Sequence, residues 1–192
     1  MELVFATNNA HKLLEISALA GTHFVIRGLK EIGINEEIPE EQDTLSGNAS
    51  QKAWFIYDRT GINCFADDTG LEIEALDGRP GVYSARYAGP DCSAQDNIDK
   101  VLAEMTHHTM RAARFRTVIS LIIDGSEYQF EGTVEGSILS EQHGGEGFGY
   151  DPIFIPDGHS QTFAQMPLSV KNQISHRGHA TQKLIAFLQT SH

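Results

Sequence analysis

The tightest constraint on the fold lies between residues 115 and 139. Phe115 to Ile123 and Glu127 to Leu139 are rich in β-branched residues, and Asp124-Gly125 separates them. Asp-Gly accepts the positive φ angles of a two-residue hairpin turn, so the two runs are expected to pair as long antiparallel neighbours. Elsewhere strands alternate with helices. Glu2 to Ala6 reads as a strand that stops at Thr7-Asn8-Asn9, after which Leu13, Ile16, Leu19 and Ala20 recur at helical spacing up to a C-cap at Gly21. Phe24 to Ile26 is a second short strand. Thr44 is the N-cap of a helix whose apolar face carries Leu45, Ala49, Ala53 and Ile56 and which ends before Gly61. Asn48 and Lys52, four apart, share another face of it.

Ile62 to Ala66 is a buried strand running into Asp67-Asp68-Thr69-Gly70, with Leu71 to Leu76 continuing in extended form. Residues 77–92 are expected as a long loop. Ile98, Val101, Leu102 and Met105 mark a third helix, Pro152 to Ile155 a short strand, and Ala180, Leu184, Ile185 and Leu188 a last helix. Ser175 would cap that helix, placing His176 and Arg177 in its first turn. Helices among strands with one hairpin predict an α/β fold with a mixed sheet. With no repeat and no linker, residues 1–192 form one domain, at most a two-lobed one.

Charge narrows the partners. Fourteen Lys and Arg against 26 Asp and Glu give a formal charge of −12, which repels nucleic-acid polymers and membrane surfaces unless the few cations cluster. No basic segment followed by an apolar run opens the chain, and no stretch approaches the ~20 apolar residues that span a bilayer. The two cysteines, Cys64 and Cys92, are too few for a disulfide scaffold and suit a reducing cytoplasm, with Cys64 packing as a small hydrophobe.

The polar clusters fall at strand ends and in glycine-rich loops. Thr7 to Lys12 opens a helix, where free backbone N–H groups and the Lys12 charge favour an anion; without the G-x-x-x-x-G-K-[ST] spacing it is no P-loop. Asp67-Asp68 drives two carboxylates to one point at the end of a buried strand, which suits Mg²⁺, an ion usually held by one or two carboxylates plus substrate phosphates. Thr69 could donate to a phosphate and Gly70 allow close backbone approach. In the acidic segment 36–43, Glu37, Glu40 and Glu41 are candidate further ligands, although a charge run is more often a solvated face. The G-x-G-x-G around Phe148 precedes a strand where a dinucleotide fingerprint would follow one. It leaves room for a flat ligand against Phe148, or Phe148 and Tyr150 are core anchors. Lys171, His176 and Arg177 gather donors near a helix start, where cations oppose the macrodipole unless an anion or a carbonyl offsets it.

In order along the chain, A-T-N-N-A-H-K (6–12), G-N-A-S-Q-K-A (47–53), A-D-D-T-G-L-E-I (66–73), P-G-V-Y-S-A-R-Y-A-G (80–89), G-F-G-Y-D-P-I-F (147–154) and K-N-Q-I-S-H-R-G (171–178) resemble the inosine triphosphate pyrophosphatase family. Its bacterial members are non-canonical purine nucleoside triphosphate pyrophosphatases, or dITP/XTP pyrophosphatases. The resemblance implies a cytoplasmic, homodimeric, Mg²⁺-dependent hydrolase that converts ITP, dITP and XTP to the monophosphate and pyrophosphate. It also implies an elongated mixed sheet flanked by two α/β lobes with a substrate cleft between them. On this resemblance Thr7, Asn8, Asn9, Ala10, His11 and Lys12 hold the triphosphate with Lys52 nearby. Asp68 is the general base and a metal ligand, Asp67 lies beside it, Thr69 touches substrate, and Glu40 is the second metal ligand with Glu41 as competitor. Phe148, Gly149, Tyr150 and Asp151 line the base and sugar pocket; Lys171, His176 and Arg177 contact the purine; Arg86 reaches the phosphates or the dimer partner. The alternatives are a pyrophosphatase for pyrimidine or other modified nucleotides, and a non-catalytic nucleotide-binding protein.

Overall fold

A computed structural model describes residues 2–191, and the chain divides into two compact units. The first comprises the residues up to Asp68, Thr117–Gly132 and the residues from Arg177 onward; the second comprises Thr69–Arg116 and Thr133–His176.

In the first unit, β1 (Glu2–Phe5) pairs in parallel with β2 (Val25–Gly28), with α1 (Ala10–Ala20) as the crossover. On its other edge β1 pairs in parallel with β3 (Cys64–Ile73), and α2 (Leu45–Thr60) connects β2 to β3. Residues 64–66 are buried on both sides, and period-two alternation divides them between two cores. Leu3, Phe5 and Phe65 face Ile16, Ala20, Leu184 and Leu188, with Phe5 and Phe65 stacked at 4.6 Å. Val4, Ala6, Cys64 and Ala66 face Ala53 and Ile56 of α2. Cys64 donates its thiol to the Ala53 carbonyl, and burial pushes the thiol up to about 12, so it packs as an inert small side chain.

In the second unit, β4 (Pro80–Gly81) pairs antiparallel with the far end of β3. Leu71, Ile73, Phe115, Phe154 and Phe163 form its core with Ile98, Val101 and Met105 at and after α3 (Ala94–Glu104). The hairpin strands β5 (Ala112–Ile123) and β6 (Ser126–Ile138) contribute to both units. Their turn has Asp124 at φ 49° and Gly125 at φ 78°, the conformation the Asp-Gly pair predicts. β7 (Phe154–Pro156) pairs antiparallel with β6, and α4 (Leu168–Ile174) and α5 (His176–Ser191) complete the mixed α/β arrangement. Among the described residues no helix is long and apolar enough to cross a membrane.

Three local expectations are corrected. Asp67-Asp68-Thr69-Gly70 does not end a strand: β3 runs through it to Ile73, and residues 74–76 form a 3-10 turn instead of continuing extended. Pairing continues because Gly70 lets the backbone of Gly81 approach to where a Cβ would lie 2.6 Å from its carbonyl oxygen. The loop at 77–92 contains β4 and a 3-10 turn at Ser84–Arg86. α4, seven residues behind Pro167, is too short for apolar periodicity to register.

Candidate active site

Because β3 continues through both acids, its alternation sends their side chains to opposite faces. Asp67 shares the face of Phe65, toward α1 and α5. Asp68 shares the face of Ala66, toward α2. Two adjacent carboxylates thereby acquire unlike surroundings.

Asp67 has no exposed side-chain surface. Lys12 Nζ donates to its Oδ1 at 3.0 Å and Arg177 Nε to its Oδ2 at 3.1 Å. Arg177, itself 1% exposed, also donates through Nη1 to buried Glu15. Burial alone would raise the Asp67 carboxyl, but Lys12 and Arg177 outweigh it and hold the group well below the usual carboxylate range. Burial is also the main cause that pulls the Lys12 ammonium below its ordinary value, against the attraction of Asp67. The two carboxylates on Arg177 offset a cation in the first turn of α5.

Asp68 receives Lys52 Nζ on Oδ1 at 3.2 Å and the Asn48 amide on Oδ2 at 3.1 Å. Lys52 Nζ is also 2.5 Å from Glu40 Oε1, so two carboxylates converge on one ammonium. Asn48 and Lys52 reach Asp68 together because four residues make one turn of α2. Burial raises the Asp68 carboxyl; Lys52 and Lys12 pull it back, Glu40 pushes it further up, and the net direction is upward. Lys52 moves the other way: burial would lower it, yet Asp68 and Glu40 raise it above an ordinary lysine. Glu41 is turned away, with its N–H and its carboxylate engaged by Gln51 at the surface. Glu40 is therefore the acid of the 36–43 segment that meets Asp68. Among the described residues no three His, Cys, Asp or Glu side chains gather as a metal cage.

The segment ahead of α1 is built around its cap. Asn9 accepts from the His11 and Lys12 N–H groups at 2.9 and 3.2 Å, and Thr7 Oγ1 accepts from the Asn9 N–H. Two helix-start amides that the sequence offers to an anion are thus taken by Asn9, while Asn8, Ala10 and His11 stand exposed. Thr69, next along β3, is half-buried.

In the second unit, Asp151 Oδ2 accepts from Lys171 Nζ at 2.6 Å and from the Phe148 N–H at 2.9 Å. Gly149, at φ 62°, makes the turn that brings these together. The Lys171 ammonium lies 5.0 Å from the ring centre of half-buried Phe148. Tyr150 packs in the core with its hydroxyl donating to the Ser84 carbonyl at 2.8 Å, so the core-anchor alternative describes Tyr150 and not Phe148. His176 stacks on Phe115 at 4.6 Å. Arg86 stands over the Tyr83 ring.

Glu15 and the full role of Asn48 escaped the sequence reading. Glu15 lies three residues after Lys12, on the same face of α1 and beside Ile16. That spacing was the signal available.

The geometry joins an N-terminal strand-cap-helix segment, a strand carrying paired acids and a helix carrying Asn48 and Lys52, and comparison with known proteins places the chain that carries them in a family. The model of the Ham1 family matches residues 3–187. A dITP/XTP pyrophosphatase of Porphyromonas gingivalis is 54% identical over 97% of both chains, and one of Flavobacterium psychrophilum is 49% identical over 98% of this chain and all of that protein. Among solved structures, the Staphylococcus aureus Ham1 protein superposes with a TM-score of 0.90 at 38% identity over the whole of both chains, and a HAM1 protein from Coxiella burnetii does so at 0.90 and 37% over 99% of each. With the family model spanning both units and relatives this similar over their full length, the chain belongs to the Ham1 family.

Proposed function

We propose that this protein hydrolyses the non-canonical purine nucleoside triphosphates ITP, dITP and XTP to the monophosphate and pyrophosphate, clearing them from the nucleotide pool. The observation that carries the reading is the convergence of Glu40 and Asp68 on the Lys52 ammonium, with Asp67 next along β3 paired to Lys12 and Arg177. Lys12 and Arg177 hold the Asp67 carboxyl low, whereas burial moves the Asp68 carboxyl upward, so the two neighbours differ in the direction suited to separate roles. The names of the relatives supply the substrate class.

In this reading Asp68 orients the attacking water and takes its proton at a carboxylate oxygen as the water adds to the α-phosphorus and pyrophosphate leaves. Lys52 stays protonated and meets phosphate oxygens, with Lys12 and the Thr7 to His11 segment on the remaining charge. Glu40 and Asp68 would hold Mg²⁺. They fit because two carboxylates already converge on a single cation, Lys52 Nζ, and because such a pair leaves the remaining coordination positions to phosphate and water. When bound, the ion would neutralise phosphate charge. Phe148, Gly149 and Asp151 are assigned to the base and sugar, with Tyr150 supporting them from the core. Lys171, His176 and Arg177 supply donors for the C6 oxygen that deaminated purines carry in place of the amino group of adenine. A donor facing that amino group is left unpaired, which can give ~10⁴-fold rejection. The same reading makes residues 1–192 one functional domain, cytoplasmic and homodimeric, with Arg86 at the phosphates or the dimer contact.

Comparing kcat/KM across ITP, XTP, GTP, ATP, dTTP and UTP tests the reading: ITP and XTP are expected to lead by at least tenfold. Equal or faster pyrimidine turnover would replace the substrate class, and ITP binding without turnover would make the protein a binding module. A second expectation separates the neighbouring glutamates. Glu40→Gln should raise the Mg²⁺ concentration for half-maximal activity by about 10–100-fold. Glu41→Gln, whose native side chain pairs with Gln51 at the surface, should leave it within twofold.

A further inference from the structure

We propose that Asn48 is a positioning residue that registers the acidic segment 40–43 against β3, so that Glu40 and Asp68 meet at Lys52. Its side chain has no exposed surface, and both ends of the amide are used. Oδ1 accepts from the Gln42 N–H at 2.9 Å, two residues after Glu40. Nδ2 donates to Asp68 Oδ2 at 3.1 Å, the oxygen not used by Lys52. The amide is therefore a two-ended tie between a loop without regular structure and a strand, carried on a helix that is itself fixed by Thr44 capping Gly47 at its start.

The local chemistry requires an amide. A carboxylate at position 48 could accept from Gln42 but would present an acceptor to Asp68, and an aliphatic side chain would release the Gln42 N–H and leave buried Asp68 Oδ2 without its donor. The loop has few other anchors. The Glu41 N–H is held at the surface by Gln51, one turn along α2 from Gly47, and Glu40 reaches inward to Lys52. Cutting the Asn48 tie therefore frees the end of the segment that sets where Glu40 points. Asn48 is given no contact with substrate in this scheme; it acts through the orientation of Glu40 and Asp68.

The inference rests on the proposed function for its catalytic consequence, and the test separates the two. Asn48→Leu and Asn48→Asp are compared with wild type by amide hydrogen exchange at Gln42, by calorimetric titration with Mg²⁺ in the presence of a non-hydrolysable ITP analogue, and by turnover of ITP. Asn48→Leu is expected to speed Gln42 exchange at least tenfold and to weaken Mg²⁺ binding and kcat about 10–100-fold. Asn48→Asp is expected to keep Gln42 protected, because the acceptor survives, while kcat still falls at least tenfold, because the donor to Asp68 is lost. Unchanged Gln42 exchange in folded Asn48→Leu, or Mg²⁺ affinity and kcat within twofold of wild type, would overturn the proposal. If Asn48→Leu does not fold, Asn48→Asp decides: exposed Gln42 or wild-type kcat overturns it. Should wild type fail to turn over ITP, the proposed function falls, and exchange and Mg²⁺ titration still judge Asn48.

Discussion

Asp68→Asn is expected to lower kcat for ITP by about 10²–10⁴-fold, the range for loss of a general base, and to lower the thermal midpoint as well. The two halves of that expectation come from one arrangement. Asn preserves the shape of the side chain beside Asn48 and Lys52 but has no carboxylate to take a proton. Its effect on stability follows from burial, which raises the Asp68 carboxyl; Lys52 and Lys12 oppose that rise and Glu40 reinforces it. A carboxyl raised on folding binds its proton more tightly in the native state, so its contribution to stability declines as pH rises from the ordinary carboxylate value through the raised one. Asn removes the cost of ionising that group at pH 7, but it turns an amide N–H₂ toward Lys52 or Asn48, both donors, and takes one of two carboxylates from buried Lys52, and this loss outweighs the gain. Pyrophosphate release and a thermal melt on the same preparation check both halves. Wild-type turnover would remove Asp68 as base, and an unchanged or higher midpoint would contradict its buried pairing with Lys52 and Asn48.

Arg177→Met should show its largest effect on stability. The guanidinium is buried between Asp67 and Glu15, and its removal leaves two buried carboxylates with one fewer cation. Breaking a buried pair in this way typically costs about 3–5 kcal/mol, and urea unfolding at pH 7 is expected to fall by that amount. The loss should shrink in acid. Burial would raise Asp67, but Lys12 and Arg177 hold it far below its model-peptide value of 3.8, so in wild type its stabilising contribution is full above that value and disappears as pH falls toward the depressed one. In the variant, protonation relieves the uncompensated carboxylates while wild type is losing stability, so the two unfolding free energies converge below pH 4. A loss under about 1 kcal/mol at pH 7, the scale of an exposed ion pair, or one that does not change with pH, would contradict this arrangement. Because Asp67 keeps Lys12, folded Arg177→Met should retain an ionised Asp67.

Much of this was legible in the chain. The Asp124-Gly125 hairpin, the Thr44 cap, and Asn48 with Lys52 on one face of α2 all follow from local rules, and the structure has them where those rules put them. The contrast between Asp67 and Asp68 was not legible, because the pair looked like a strand end. Seen that way, both acids share one place; only an uninterrupted β3, allowed by the close approach of Gly81 to Gly70, sends them to opposite faces. Glu40 and Glu41 could not be separated by composition, since neither sits in a periodic segment. What separates them is tertiary: Asn48 holds Gln42 and Gln51 holds Glu41. Glu15 was hidden by the convention that an acid on a helix is solvated, although its place beside Ile16 on the buried face of α1 argued otherwise.

The central claim is that the acids around Lys52 form a hydrolytic centre for deaminated purine triphosphates. It is tested most directly by resolving the products of ITP with and without Mg²⁺. One monophosphate and one pyrophosphate per ITP, with release abolished by chelation, is the expected result. Orthophosphate and the diphosphate as products, or undiminished turnover without a divalent ion, would contradict it.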